Sequence, residues 1–486
     1  MGTELHFLSA AALARAILRR ETSSVELLEH FEARVGTYNP GINAIVATDF
    51  DAARDLARAA DEALARGEIW GPLHGVPMTI KDAFEVQGLP STGGIPALKD
   101  HVPEESAVAV DRLDRAGAVI FGKTNVPFAS GDLQTYNDIY GTTNNPWDVT
   151  RGPGGSSGGA AAALAAGLTG FELGSDIGGS IRTPSHLCGV FGHKPTFGIV
   201  PKLGHLPPLP GALAESDLSV AGPLGRSAED LALGLSIVAG PHGAEANGWS
   251  LALPEPRAVI PAELRVAVWI EDPYCDIDRE SAGLLIEAAR ALEKAGARVD
   301  WKARPDFTLA ESDDIYLQLL HAGITTGFPP HLRQRLTAQA ATLDADDRSH
   351  EAQQARGAAM NFMDWRVLIE RRAQLKAKWS DFFRGYDVVL APVLMQPAFK
   401  HDQNPTWSKR KLFVNGIERN YMDVLTWAGP AVVAHLPASV APVGLTGEGL
   451  PVGIQIIGPL YGDFTTIAVA AMFEEILGGF RAPPGY

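Results

Sequence analysis

Two glycine-rich stretches carry serines that could act as nucleophiles, and one lysine could serve them as a base. "GPGGSSGG" holds Ser156 and Ser157, and "GSDIGGSIRTPS" holds Ser180. Glycine at this density costs backbone entropy, so the folded chain must need it. A serine hydroxyl attacks only when a neighbouring base takes its proton. In the second stretch Ile177, Gly178 and Gly179 run directly into Ser180. A backbone curled there aims several N–H groups at one point, an anion-binding nest beside a hydroxyl. A plain tight turn would use the same glycines.

Histidine is the usual base, and the chain has 13. None forms a recognisable set with an acid. His186 and His193 bracket Cys188 in "HLCGVFGH", but a fourth ligand and the usual spacing are missing, so no metal site is expected. Lysine is the alternative. Lys81 ends the apolar run in "GPLHGVPMTIKDAFEV". Carried on a buried strand, it would be desolvated and its pKa lowered, whereas at an ordinary strand end it would be solvated. Two other readings of the first stretch fail on context. A P-loop needs Lys-Ser/Thr after its last glycine, and Ala160 follows Gly159. The G-x-S-x-G of an α/β-hydrolase elbow fits both Ser156 and Ser157. It needs a buried strand just before it, and "TNNPWDVTRGP" is polar and proline-broken.

These residues must be held by a scaffold, and the rest of the chain describes one. "INAIVA", "VPMTI", "AVIFG", "LRVAVWI", "ARVDW", "YDVVLAPV" and "VGIQIIG" read as strands. Residues 9–66 are largely helical, with Ser23 and Glu26 at capping-box spacing. "ESAVAVDRLDRAGA" and "RESAGLLIEAARALEKAG" are helices that stop at glycine. The alternation predicts an α/β fold, one large domain over 1–486 with a central mixed sheet covered by helices on both faces. Residues 331–384 are charged and helix-favouring, a cap over a site or amphipathic helices on the core. The uncharged run "VLTWAGPAVVAHLPASVAPVGLTG" is broken by Pro430, Pro437 and Pro442, which points to buried strands and turns and not a membrane helix.

Composition bounds the function. The 486 residues are 46% hydrophobic and 20% charged, as in a water-soluble globular protein. With 57 acids against 41 bases the formal charge is −16, which argues against nucleic-acid or anionic-membrane partners. Two cysteines, Cys188 and Cys275, make no disulfide framework. The N-terminus "MGTELHFLSAAALARAILRR" reads as an amphipathic helix instead of a secretion signal, so a cytoplasmic location is expected.

Taken together, "GVPMTIKD", "GKTN", "GTTNNPWD", "GGSSGG", "GSDIGGSIRTPS", "KPTFG" and "GLPVGIQIIG" resemble the amidase signature family in order and spacing. Lys81 and Ser156 lie 75 residues apart, and Ser156 and Ser180 lie 24 apart. The resemblance covers 68–230, the signature core, and 385–460. Residues 240–384 resemble nothing in particular and would shape the substrate site. The resemblance implies a Ser–cisSer–Lys triad: Ser180 the nucleophile, Ser156 the bridging serine on a cis peptide bond, and Lys81 the base. It places the oxyanion hole on the amides of Ile177, Gly178, Gly179 and Ser180, with Ser157, Asp176 and Arg182 in support. It implies amide hydrolysis of a small molecule through an acyl-enzyme, with no cofactor and no metal, in a family where homodimers are common.

Within that resemblance the alternative is the glutaminase subunit of a tRNA-dependent amidotransferase. Outside it, the alternatives are a conventional serine esterase of the α/β-hydrolase type and a non-catalytic binding protein. Phe128 stands where many members carry an acid, and His193 stands where leucine is common, both expected near the site. Trp301, Trp365, Trp379 and Trp407, with Phe362 and Met363, suggest a roomy apolar pocket, and so aryl or hydrophobic acyl amides, with carbamates and esters open to the same machinery.

Overall fold

A computed structural model describes residues 4–344 and 346–486, so the first three residues of the N-terminal amphipathic stretch lie outside it. All seven apolar runs form strands. In chain order the first five strands are β1 Ile45–Thr48, β2 Pro77–Lys81, β3 Val119–Thr124, β4 Tyr136–Asn137 and β5 Gly141–Thr142. Next come β6 Glu172–Asp176, β7 Phe191–Lys194, β8 Val220–Gly225, β9 Arg265–Val268 and β10 Arg298–Asp300. The last are β11 Val388–Pro392, β12 Lys411–Val414, β13 Ile417–Asn420, β14 Ala438–Leu445 and β15 Pro451–Ile457.

Eight of these make the central sheet, in the order β10-β9-β11-β15-β14-β7-β8-β6. The β10/β9 and β9/β11 pairs are parallel. The remaining neighbours are antiparallel, so the sheet is mixed, as expected. Successive strand residues face opposite sides of a sheet, and β7 uses this to anchor a helix on each. A side chain at Gly192 would run into Ser185 Oγ of the helix Arg182–Cys188. The next residue, His193, points the other way and meets Asp463 at the start of the helix Asp463–Leu477. Helices therefore cover both faces. The uncharged run resolves into the short helix Gly429–Val433 and β14. Among the described residues no helix is long and apolar enough to cross a membrane.

A second, three-stranded sheet, β1-β3-β2, brings Lys81 to the edge of the first. Between the two sheets runs the helix Gly158–Ala165, every residue of it buried. The capping box forms as read: Ser23 Oγ accepts from the Glu26 N–H at 3.0 Å, and the Ser23 N–H donates to Glu26 Oε2 at 2.8 Å.

Residues 331–384 form three helices, Pro330–Ala340, His350–Ala359 and Phe362–Phe382. The last buries Leu368, Leu375 and Trp379, one stripe at helical spacing. Its first turn stays outside that stripe, which leaves Phe362 and Met363 exposed. Trp379 packs into the core against Phe307 and Phe383, and Trp407 lies beside Arg410 and Tyr421. Helical periodicity thus sends Trp379 to the core and Phe362 and Met363 to solvent, and not to a shared pocket, while Trp301, Trp365 and Trp407 are half-buried against the core.

Candidate active site

All five residues of β2 are buried, which carries Lys81 into the interior with no exposed surface. Its Nζ lies 2.7 Å from Ser156 Oγ and 2.9 Å from Ser175 Oγ. Burial dominates its acid–base behaviour. It pulls the pKa from 10.5 down to about 7, against the opposing pull of Asp176 and Glu172. Glu172 sits on β6 facing β2, where it accepts from the Thr79 hydroxyl. Burial pushes its own pKa up to about 8. That shift favours the neutral carboxyl, so Glu172 holds Lys81 as an ammonium less strongly than an ordinary carboxylate would.

Ser156 follows a cis peptide bond, Gly155–Ser156. The glycines around it answer to close backbone approach. A Cβ on Gly159 would stand 2.3 Å from the Asn125 nitrogen and 2.8 Å from the Ala44 carbonyl oxygen, so only glycine lets the helix lie on the small sheet. Ser157 ties the two serine segments together, its N–H donating to the Ser180 carbonyl at 3.1 Å. Its hydroxyl lies 3.4 Å from both the N–H and the carbonyl of Ser175.

The loop from Ile177 to Ser180 is held by a buried ion pair. Asp176 takes the Arg182 guanidinium on both oxygens, at 2.9 and 3.0 Å. It also accepts the Gly179 N–H at 2.9 Å and the Ile181 N–H at 3.1 Å. Burial alone would raise this carboxyl, but the Arg182 charge and these bonds outweigh it and hold the pKa at about 2. Arg182 is occupied on its far side too, by the Ala428 carbonyl and the Gln455 side chain. Asp176 and Arg182 hold the loop together, and the Gly179 amide, expected to face an oxyanion, is bonded to Asp176. At φ +96° its N–H turns back to the carboxylate. The amides of Ile177, Gly178 and Ser180 have no partner among the described residues. Tyr316 fixes the loop from behind, its hydroxyl donating to the Ile177 carbonyl at 3.1 Å. Ser180 is 4% exposed. No hydrogen bond joins its hydroxyl to that of Ser156 among the described residues.

Sequence reasoning passed over Ser175, Glu172, His205 and Tyr316. Only Ser175 had a local signal, as the chain neighbour of Asp176. His186 bonds the backbone of Gly453 and Gln396. His193 spans Ser439 and Asp463 on the side of the sheet away from Ile181, so it is not near the site. Phe128 is exposed on the turn after β3.

The comparisons with known proteins agree with this geometry. The Amidase family model matches residues 26–467. The chain belongs to the amidase family. It is 34% identical to an acylamidase of Rhodococcus erythropolis, covering 97% of this chain and 96% of that protein. It is 31% identical to a glutamyl-tRNA(Gln) amidotransferase subunit of Carboxydothermus hydrogenoformans, covering 99% of each. A bacterial aryl acylamidase crystal structure superposes with a TM-score of 0.81 at 26% identity, covering 98% of this chain and 97% of that one. The protein is an amide-hydrolysing enzyme of the amidase signature fold. That overturns the α/β-hydrolase esterase and binding-protein alternatives, and the histidines agree: none of them bonds Ser180.

Proposed function

We propose that this amidase cleaves aryl or hydrophobic acyl amides through an acyl-enzyme on Ser180. The observation that carries the reading is a fully buried Lys81 whose nitrogen lies 2.7 Å from Ser156 Oγ and whose pKa falls to about 7. Neutral Lys81 takes the Ser156 proton while Ser156 takes that of Ser180, and Ser180 Oγ bonds to the amide carbon. The carbonyl oxygen gains the negative charge, facing the unpartnered amides of Ile177, Gly178 and Ser180. The relay then returns the proton to the amine nitrogen as the C–N bond breaks. Water, deprotonated by the same relay, releases the carboxylate and restores Ser180.

The likeness to an acylamidase and to a bacterial aryl acylamidase supports the apolar preference, and the loop itself is closely packed. A side chain on Gly178 would meet Leu425 at 3.0 Å and the Tyr316 hydroxyl at 2.9 Å. The amidotransferase alternative needs a free arginine for the substrate carboxylate, and Arg182, the guanidinium beside this loop, is committed to Asp176, Ala428 and Gln455. In this reading 68–230 supplies the reacting groups, and 240–384 braces the Ile177–Ser180 loop through Tyr316. The test is a hydrolysis screen over anilides and aliphatic amides of graded acyl length, with glutamine included and Ser180→Ala as control. The expected result is preference for apolar acyl or aryl groups and no turnover by the variant. Ammonia release from glutamine above all other amides would refute the substrate class.

A further inference from the structure

Lys81 has a second hydroxyl partner, and that partner competes for the lone pair the mechanism needs. If Ser175 turned its O–H toward an uncharged Lys81, it would occupy the lone pair meant for the Ser156 proton. What prevents this is His205. Its Nε2 lies 2.8 Å from Ser175 Oγ, and its Nδ1 lies 3.1 Å from the Pro207 carbonyl.

A carbonyl oxygen only accepts, so the ring proton of neutral His205 must sit on Nδ1 and Nε2 must present a lone pair. The ring stays neutral at working pH. Burial first, then the neighbouring Lys81 and Lys202 charges, push its pKa down to about 3. Ser175 must then donate to His205, and it meets the Lys81 N–H at 2.9 Å as an acceptor. The polarity of the chain is set from its far end, the Pro207 carbonyl.

The histidine is also fixed in place relative to Lys81. The Glu85 N–H donates to the Gly204 carbonyl at 2.9 Å, and the Leu206 N–H donates to the Ala83 carbonyl at 2.7 Å. Phe84 packs edge-on against its ring, with centroids 4.9 Å apart. The segment after Lys81 therefore carries the ring that orders its hydrogen bonds.

We propose that His205 is a positioning residue: by accepting the Ser175 proton it keeps that hydroxyl off the Lys81 lone pair and reserves the lone pair for Ser156. This rests on Lys81 being the base. The charged and titratable groups around the chain are Asp176 and Glu172 facing Lys81, and Lys81 and Lys202 facing His205.

The experiment compares His205→Gln, His205→Leu and His205→Asn with wild type, following steady-state anilide hydrolysis from acid to alkaline pH. Gln places an amide oxygen where Nε2 stood, Leu fills the volume with no acceptor, and Asn reaches only toward Pro207. Leu and Asn should lower kcat about tenfold with KM little changed, and should move the acid limb of the profile. Gln should stay within about twofold of wild type in both. Equal behaviour of Gln and Leu, or wild-type kcat and pH limb in Leu, would overturn the proposal. Should Leu fail to fold, the Gln–Asn difference decides the same question. Lys81→Ala, run alongside, tests the underlying reading separately: if it stays active, the base assignment fails whatever His205 does.

Discussion

Replacing Lys81 by methionine should remove activity at little or no cost to the fold, and the structure gives the size of both effects. A lysine amine held at about 7 instead of 10.5 corresponds to about 5 kcal/mol of preference for the neutral form over water. The sign follows from proton counting. Between pH 7 and 10.5 the unfolded chain holds a proton at this lysine that the folded chain does not. Stability therefore rises with pH across that window, and below it the full cost of burying the ammonium is present. Methionine removes that cost and keeps most of the volume. Against the gain stand the Ser156 and Ser175 hydroxyls, each losing a partner at about 1–3 kcal/mol. The balance lies between about 1 kcal/mol destabilising and about 3 kcal/mol stabilising at pH 6 to 7.

Activity moves the other way. Loss of the base should lower kcat/KM roughly 10²–10⁴-fold. In the wild type, kcat/KM for an anilide should climb tenfold per pH unit up to about 7 and then level. The assays are anilide hydrolysis against pH and thermal melting of both proteins at neutral pH. Lys194 is a necessary control, because burial pulls it to about 7 as well. It donates to the Pro195 carbonyl and touches neither serine, so Lys194→Met should keep the acid limb. A Lys81→Met variant that melts several degrees lower, or one that keeps near wild-type turnover, contradicts this account of the lysine. So does an acid limb near the ordinary lysine value.

Asp176→Asn strands the buried Arg182 charge and loosens the clamp on Gly179 and Ile181. It should cost about 3–5 kcal/mol in denaturant melts. Because Asp176 is held at about 2, below its usual 3.8, its contribution in the wild type is present above 3.8 and lost as pH falls through 2, and the variant should lack that acid transition. Tyr316→Phe frees the Ile177 carbonyl and should lower kcat several-fold, with a stability loss of about 1 kcal/mol read by melting. Gly159→Ala would gain helix propensity of about 1 kcal/mol. It drives a Cβ to 2.3 Å from a backbone nitrogen, so the variant should melt well below wild type.

The local elements and the residues of the candidate site were legible in the amino-acid order. Apolar, β-branched runs such as "YDVVLAPV" are strands wherever they pack, and the Ser23–Glu26 box caps its helix because both partners lie within one turn. Motif order and spacing singled out Lys81, Ser156 and Ser180. Strand β6 stayed hidden because "ELGSD" has little strand propensity. It is extended only because β8 pairs along it, with Gly174 packed against Leu224 and Ser157 Oγ. The chemistry around those residues came from long-range packing. Ser175 reaches Lys81 across 94 positions of chain, and Tyr316 reaches Ile177 across 139. The Gly179 N–H points to Asp176 because its left-handed backbone, open to glycine, turns it toward a buried carboxylate three positions back. A lysine's pKa near neutrality is a statement about the water around it, and no arrangement of letters removes that water until the two sheets close over it.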